Sequence, residues 1–161
     1  MSAQAGISTL GVKFGYGIGT LTQKPTKFTQ LERVNSIGGI SLSTEQIDAS
    51  ALEDFISKYT SGRQDTGGTF DVTFNISDDV VTQLEAMISA YQEMSGESHM
   101  WFTVWAPKMT KAFFIIAQPP TKIGMPEFGQ NSLMTVAMPL TIEEYKGLDT
   151  AIEPKTEDAG A

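Results

Sequence analysis

The sequence predicts a mainly β (α+β) fold: an antiparallel β-sandwich or barrel with one packed helix, a long loop and two flexible termini. Three observations predict it. "TFDVTFNIS" (69–77) alternates strictly, with Phe70, Val72, Phe74 and Ile76 toward one face and Asp71, Thr73, Asn75 and Ser77 toward the other. "DDVVTQLEAMISAYQEM" (78–94) then changes to helical spacing. Strand-like segments "HMWFTVWA", "AFFIIAQ" and "SLMTVAMPLTIEEY" follow, with no second long helical pattern. A chain of 161 residues suggests one domain, able to bury roughly two thirds of its unfolded surface.

Residues 1–27 are rich in Gly, Ser and Thr and read as a flexible arm. Glycines at 11, 15, 17 and 19 resemble a phosphate loop in spacing, but the Gly-Lys-Ser/Thr ending and the strand-then-helix context are missing. The domain proper is expected over 28–146. "FTQLERVNSI", the Gly38-Gly39 pair and "ISLS" read as a strand, a turn and a returning strand. The stretch from 44 to 67 is then unusually long for a connection, which points to binding or disorder. Within it Ser50 is placed to cap a short helix over 51–59, with Glu53 completing a capping box. Leu52, Phe55, Ile56 and Tyr59 fall at i, i+3, i+4 and i+7, and Thr60-Ser61-Gly62 ends the helix. That stripe needs a surface to cover, either its own domain or a neighbouring subunit.

Asp78 and Asp79 suit the positive end of the main helix (78–95), whose buried stripe is Val80, Val81, Leu84, Met87, Ile88 and Tyr91, stopped by Ser95-Gly96. Strands 99–106 and 112–118 are joined by a connection of hairpin length, and "AFFIIA" is apolar on both faces, as in a strand covered on both sides. Three prolines and two glycines keep "PPTKIGMPEFGQN" irregular. Pro139 within the last strand (132–145) requires an edge or a bulge. From Gly147 the chain reads as a mobile acidic tail (147–161).

Charge is polarised along a chain of net charge −8. Lys13, Lys24 and Lys27 lie in an N-terminal stretch without acids, whereas Glu143, Glu144, Asp149, Glu153, Glu157 and Asp158 outnumber Lys146 and Lys155 at the other end. Two readings follow: solvated tails, or like subunits stacked with unlike ends facing. An acidic chain without a basic patch is poorly suited to gripping nucleic acid. There is no cysteine, which excludes disulfides, thiolate metal sites and cysteine nucleophiles. The start has no basic n-region or long apolar stretch, and no run approaches the roughly 18 apolar residues of a spanning helix, so synthesis in the cytoplasm and no membrane partner are expected.

Catalytic and metal-binding chemistry finds little to use. His99 is the single histidine. It sits at a strand start beside Trp101 and Trp105, where a structural or exposed role fits it. Asp78-Asp79 is explained by the helix start rather than by acid–base work. "DTGG" shares Asp-Thr-Gly with aspartic proteases but lacks their apolar context before the Asp. The eight methionines are dispersed and read as core filler. No cofactor, no metal and no enzyme activity are expected.

The order of parts resembles the major tail tube proteins of long-tailed bacteriophages, in the wider tail tube and type VI secretion tube fold family. The resemblance runs from about Gly11 to Glu144: a Gly-rich arm ("GVKFGYG"), then "FTQLERVNSIGGISLSTEQIDASALED", a long loop closing on "SGRQDTGG", the alternating strand and the helix after "SDD". "HMWFTVWAPKMTKAFF" departs from it in being more aromatic and less Gly-rich. The resemblance implies hexameric rings stacked into a hollow tube that conducts DNA during ejection, in the tail of a virion. Implied partners are copies of the chain, tape measure protein, terminator and tip proteins, and passing double-stranded DNA that is not specifically bound. Loop 44–67 becomes the inter-ring element, with Asp48, Leu52, Phe55, Ile56, Tyr59, Arg63 and Asp65 as contact candidates.

The family's inner wall is a continuous β-barrel with four strands from each subunit. About 24 strands at ~4.8 Å, tilted by roughly 45°, leave a bore of roughly 40 Å, wide enough for DNA. A lining that gripped phosphates would slow transit, so a polar, neutral-to-acidic wall is expected. The lumen candidates are Asp71, Thr73, Asn75, Glu32, Thr135 and Glu143. The alternatives are a tube protein of a contractile tail, tailocin or type VI secretion system, and a monomeric β-sandwich binding module using the Trp101/Trp105 strand. The resemblance implies the non-contractile form, which the flexible ends fit.

Overall fold

Sixteen residues of the last strand serve two different partners, and this organises the molecule. The computed structural model describes residue 6 and residues 8–156. In chain order these form β1 (Lys13–Gly19), β2 (Thr29–Leu31), β3 (Val34–Ile37), β4 (Ser43–Asp48), β5 (Tyr59–Asp65), β6 (Thr69–Asn75), α1 (Asp78–Gln92), β7 (His99–Trp105), β8 (Lys111–Gln118) and β9 (Thr135–Thr150). Seven strands make one antiparallel sheet in the order β2-β1-β7-β8-β9-β6-β3, while β4 and β5 pair only with each other. From Thr135 to Thr141, β9 runs beside β6; from Thr141 to Thr150 it runs beside β8, with two bulges. The sheet therefore splits at Thr141 into two leaves that face each other as a sandwich. Pro139 lies in the first segment, which has no β8 neighbour, so its missing N–H falls at a local edge.

The core fills the space between the leaves. Phe70, Val72, Phe74, Val136, Met138 and Leu140 come from one leaf, and Phe14, Tyr16, Met100, Phe102, Ile115 and Ala117 from the other. Helix α1 contributes Val80, Leu84, Met87 and Ile88, while Val81 and Tyr91 are only half-buried. Its N-cap is Ser77, whose hydroxyl accepts the Val80 N–H at 3.4 Å. Phe14 and Phe102 stack at 5.5 Å between ring centroids. Each such buried side chain stabilises the fold by about 1.5–3 kcal/mol relative to exposure.

A second apolar layer lies behind β7 and β8, where Phe28, Trp101, Ala112, Phe114 and Ile116 cluster. β8 is thus covered on both faces, as its unbroken apolar run predicts. Residues 20–28 and the segment after β9 form the cover, and three lysines close it: Lys13 over Trp105, Lys24 over Phe114 and Lys146 over Trp101.

The N-terminal glycines belong to this layer. Residues 13–19 are not an arm but a strand inside the sheet, with Phe14 and Tyr16 facing the core and Gly15, Gly17 and Gly19 facing the cover. A Cβ at Gly17 would stand 2.7 Å from the Lys27 carbonyl oxygen, and one at Gly15 would stand 2.7 Å from Pro154 Cβ. The spacing provides close backbone approach, which is a physical reason for alternating glycines unrelated to phosphate.

Residues 147–150 are likewise not a mobile tail but the end of β9, paired with Lys111–Phe114. The following residues lie along β2, where the Gln30 N–H donates to the Lys155 carbonyl at 2.8 Å and the Lys155 N–H to Phe28 at 3.1 Å. Lys13 meets Glu153 at 2.7 Å and Lys24 meets Asp149 at 3.3 Å. These unlike charges are paired within one chain. Glu157 and Asp158 lie outside the described residues. The expected turn at Gly38-Gly39 does not join two paired strands: β3 pairs with β6, and β4 with β5. The Gly38 N–H instead donates to the Asp71 carbonyl at 2.7 Å.

Two outcomes follow. Gly17→Ala forces a carbonyl or a proline ring aside, and an overpacking cost of about 1–3 kcal/mol is expected in denaturant unfolding. The Thr150 N–H, with Lys24, holds Asp149 below its ordinary value of 3.8, and Lys13 holds Glu153 below 4.5. A depressed folded pKa means stabilisation that is present at neutral pH and lost as pH falls through the depressed value. Hydrogen-exchange protection of 151–156, corrected for intrinsic rates, should therefore decay below those ordinary values while the β7–β8 amides stay protected.

Candidate assembly site

The β4–β5 hairpin projects from the sandwich and makes no substantial packing with other elements among the described residues. Its register runs from Ser43 opposite Asp65 at the root to Asp48 opposite Tyr59, with a bulge between Thr44 and Gln46. At about 3.3 Å per residue, β4 carries the chain about 20 Å outward. The Ala49 N–H donates to the Lys58 carbonyl at 2.8 Å and closes the ten-residue tip. Ser50 tightens it: its hydroxyl accepts the Lys58 N–H at 2.7 Å and lies 3.3 Å from the Lys58 carbonyl.

That bonding explains why the expected helix over 51–59 does not form. The Ser50 hydroxyl is engaged across the hairpin and is not capping a helix, and the Ala51 N–H donates to Asp54 Oδ2 at 2.8 Å in a turn. A nine-residue helix lacks the length to hold itself without tertiary packing, and there is none here. Asp48 accepts the Ser50 N–H at 2.9 Å, which holds its carboxyl below the usual range. At the root, Asp65 accepts the Gly67 N–H at 3.0 Å.

All seven contact candidates therefore sit on one element. Asp48, Tyr59, Arg63 and Asp65 belong to its strands, and Leu52, Phe55 and Ile56 to its tip. Leu52 and Phe55 are as open as in an extended chain, and Ile56 and Tyr59 are also exposed. Among such an array of apolar side chains a soluble fold normally arranges cover. A two-stranded hairpin in water is at best marginally stable by itself.

A second surface, unfilled among the described residues, lies between the leaves. No residue of α1 lines it, so it marks the side of the sandwich that the helix leaves uncovered. The cleft measures about 720 Å³ and is lined by Val34, Ile37, Val104, Met109, Phe113 and Tyr145 among others, with no charged residue. β3 ends the sheet along it. Glu32 and Arg33 alone join β2 to β3, the two ends of the sheet, and Arg33 turns with φ 60. The ends meet at that corner, and the sheet stays open at the cleft. This surface is not legible from strand periodicity; the apolar residues Val34, Ile37 and Ile40 around Gly38-Gly39 are its signal in the sequence.

The lumen candidates divide. Asp71, Thr73 and Asn75 share the outward face of β6, and Thr135 stands opposite Asn75 on β9. Asn35 Nδ2 donates to Asn75 Oδ1 at 2.9 Å on the same leaf. Glu32 is at the β2–β3 corner, its N–H bound to Gln83 Oε1 at 3.0 Å. Glu143 lies beyond the point where β9 leaves β6, 2.8 Å from His99 Nδ1 and 2.6 Å from Gln118 Nε2. Burial, with the Glu143 charge adding to it, pushes the Tyr91 hydroxyl up. Trp101 is buried and donates its indole N–H to the Thr20 carbonyl at 2.9 Å, so the aromatic strand offers no open stacking surface there. Among the described residues no group of His, Cys, Asp or Glu is arranged to hold a metal.

No family model matches the chain, and no curated protein matches its sequence. Among solved structures, the fold is similar to a chain of the anti-feeding prophage cap, the AFP tube terminating cap. The TM-score is 0.61 at 13% identity, over 94% of this chain and 95% of that one. A chain of the PVC sheath/tube terminator, from an extracellular contractile injection system in the extended state, gives 0.59 at 11% identity, over 92% and 100%. What is shared at such identities is the fold.

Ser50→Ala removes the bond that closes the tip. Proteolytic cleavage within 49–58 should rise several-fold, while the unfolding transition of the sandwich stays within about 0.5 kcal/mol of the parent.

Proposed function

We propose that the chain is a structural subunit of a tail-like tube, one that associates with copies of itself into rings and belongs to the contractile-injection kind. One solved neighbour is part of a tube terminating cap and the other part of a sheath/tube terminator, which supports the contractile alternative over the long-tailed phage tube first implied by the resemblance. The observation that carries the reading is the hairpin: an element with both faces in water and an apolar tip, without cover from the other described residues. Such a surface is stable when a neighbouring subunit supplies the missing contacts.

In this reading rings are hexameric, the outward face bearing Asp71, Thr73, Asn75 and Thr135 lines the bore, and terminator proteins, tip proteins and tape measure protein are its partners. A neutral-to-acidic wall lets DNA pass without phosphate contacts. The role is structural, in a tail-like particle, and needs no cofactor.

Electron microscopy of the concentrated protein tests it. Rings or stacked tubes are expected, and a variant lacking 46–66 should remain a folded, soluble monomer. Parent protein that stays single at high concentration ends the proposal; tubes formed by the deletion variant end the role of the hairpin.

A further inference from the structure

We infer that the hairpin tip of one copy seats in the cleft between the leaves of the next, so that tip and cleft are two halves of one heterologous contact. The inference rests on the assembly reading above and names the surfaces that make it. Both halves are mainly apolar and, among the described residues, uncovered: Leu52, Phe55 and Ile56 on the tip, and Val34, Ile37, Val104, Met109 and Phe113 in the cleft, beside the uncharged Ser8, Thr9, Asn35 and Ser36. The cleft carries no charge to desolvate, and on the tip Asp54 is held by Lys58 at 3.2 Å. Its 720 Å³ falls within the ~300–1,000 Å³ of cavities that enclose most of a small ligand, room enough for a few side chains.

Size and reach identify the occupant as a second copy. Phe55 on the tip and Tyr59 at the start of β5 present on the order of 300 Å² or more; with Leu52 and Ile56 added, the apolar end of the hairpin approaches the ~800 Å² per partner of a standard interface. The tip cannot serve its own cleft. Ile40 lines the cleft and β4 begins at Ser43, so about 20 Å of paired strand separates the root beside the cleft from the tip, and neither strand packs substantially on another element among the described residues. Folding back would break the β4–β5 ladder. The terminal strand β3 also leaves an edge along the cleft where extended backbone can add hydrogen bonds. Because the two surfaces differ, each copy that receives a tip still offers its own, and the contact propagates into a ring or a helical polymer.

Two complementary variants test this. Leu52→Ser/Phe55→Ser/Ile56→Ser spoils the tip and leaves the cleft. Gly39→Trp fills the cleft mouth at a position where a Cβ meets nothing within 4 Å, and Gly39→Ala is its control. Each defective variant should need at least tenfold more protein to assemble, with an unchanged far-ultraviolet spectrum, while Gly39→Ala behaves as the parent. Mixed together, the two defective variants should form a 1:1 pair in light scattering and stop there, since the single good tip meets the single good cleft. With a parent that assembles, failure to pair, or normal assembly of Gly39→Trp, overturns the tip-in-cleft contact and leaves the tube reading standing. A cysteine pair offers a second readout in a chain that has no cysteine of its own. Phe55→Cys mixed with Ser36→Cys should give a mixed disulfide under mild oxidation; tip-to-tip linkage alone overturns the proposal.

Discussion

Everything in this molecule depends on β9 belonging to two leaves at once. Its partner changes from β6 to β8 at Thr141, and the two leaves must then face each other because one strand runs continuously through both. The core forms where they face, with α1 along one open side. At the corner where β2 turns directly into β3, the ends of the sheet are forced together; at the cleft they are not. A fully closed barrel would have buried that cleft. An open sandwich keeps it, together with the terminal strand β3.

The charged ends belong to the same design. Cationic β1 and its following segment meet the acidic end of β9 inside one subunit, through Lys13–Glu153 and Lys24–Asp149. As exposed pairs they contribute little to stability individually. Their joint effect is to hold the C-terminal segment over the glycine-lined face of β1, where backbone contact replaces side chains. The segment also covers the outer edge of β2, so the leaf containing β7 and β8 is finished within the monomer. The unfinished surfaces lie elsewhere, at the hairpin and the cleft.

The sequence made some of this legible and hid the rest for identifiable reasons. Strand β6, helix α1, and the strands of β7, β8 and most of β9 follow from periodicity, because alternation and helical spacing express which face is buried. The apolar stripe at 52, 55, 56 and 59 was misread as a helix, since the same spacing arises when apolar residues collect on a turn that nothing covers. Its role as the most exposed apolar surface could be anticipated; its hairpin form could not. The glycines at 15, 17 and 19 looked like looseness because the sequence does not show what lies across from them.

By itself, then, the sequence determined the fold class, the half-buried strand and its helix, the absence of thiol chemistry, and the apolar residues that stand exposed on the hairpin. Tertiary structure decided that β1 lies inside the sheet, that the last strand extends to Thr150, that opposite charges pair within the chain, and that an apolar cleft stays open. The physical reason is range. Periodicity records each residue's preference for water or core along a few neighbours, whereas strand partners, close approaches and unfilled space depend on residues that meet from distant parts of the chain.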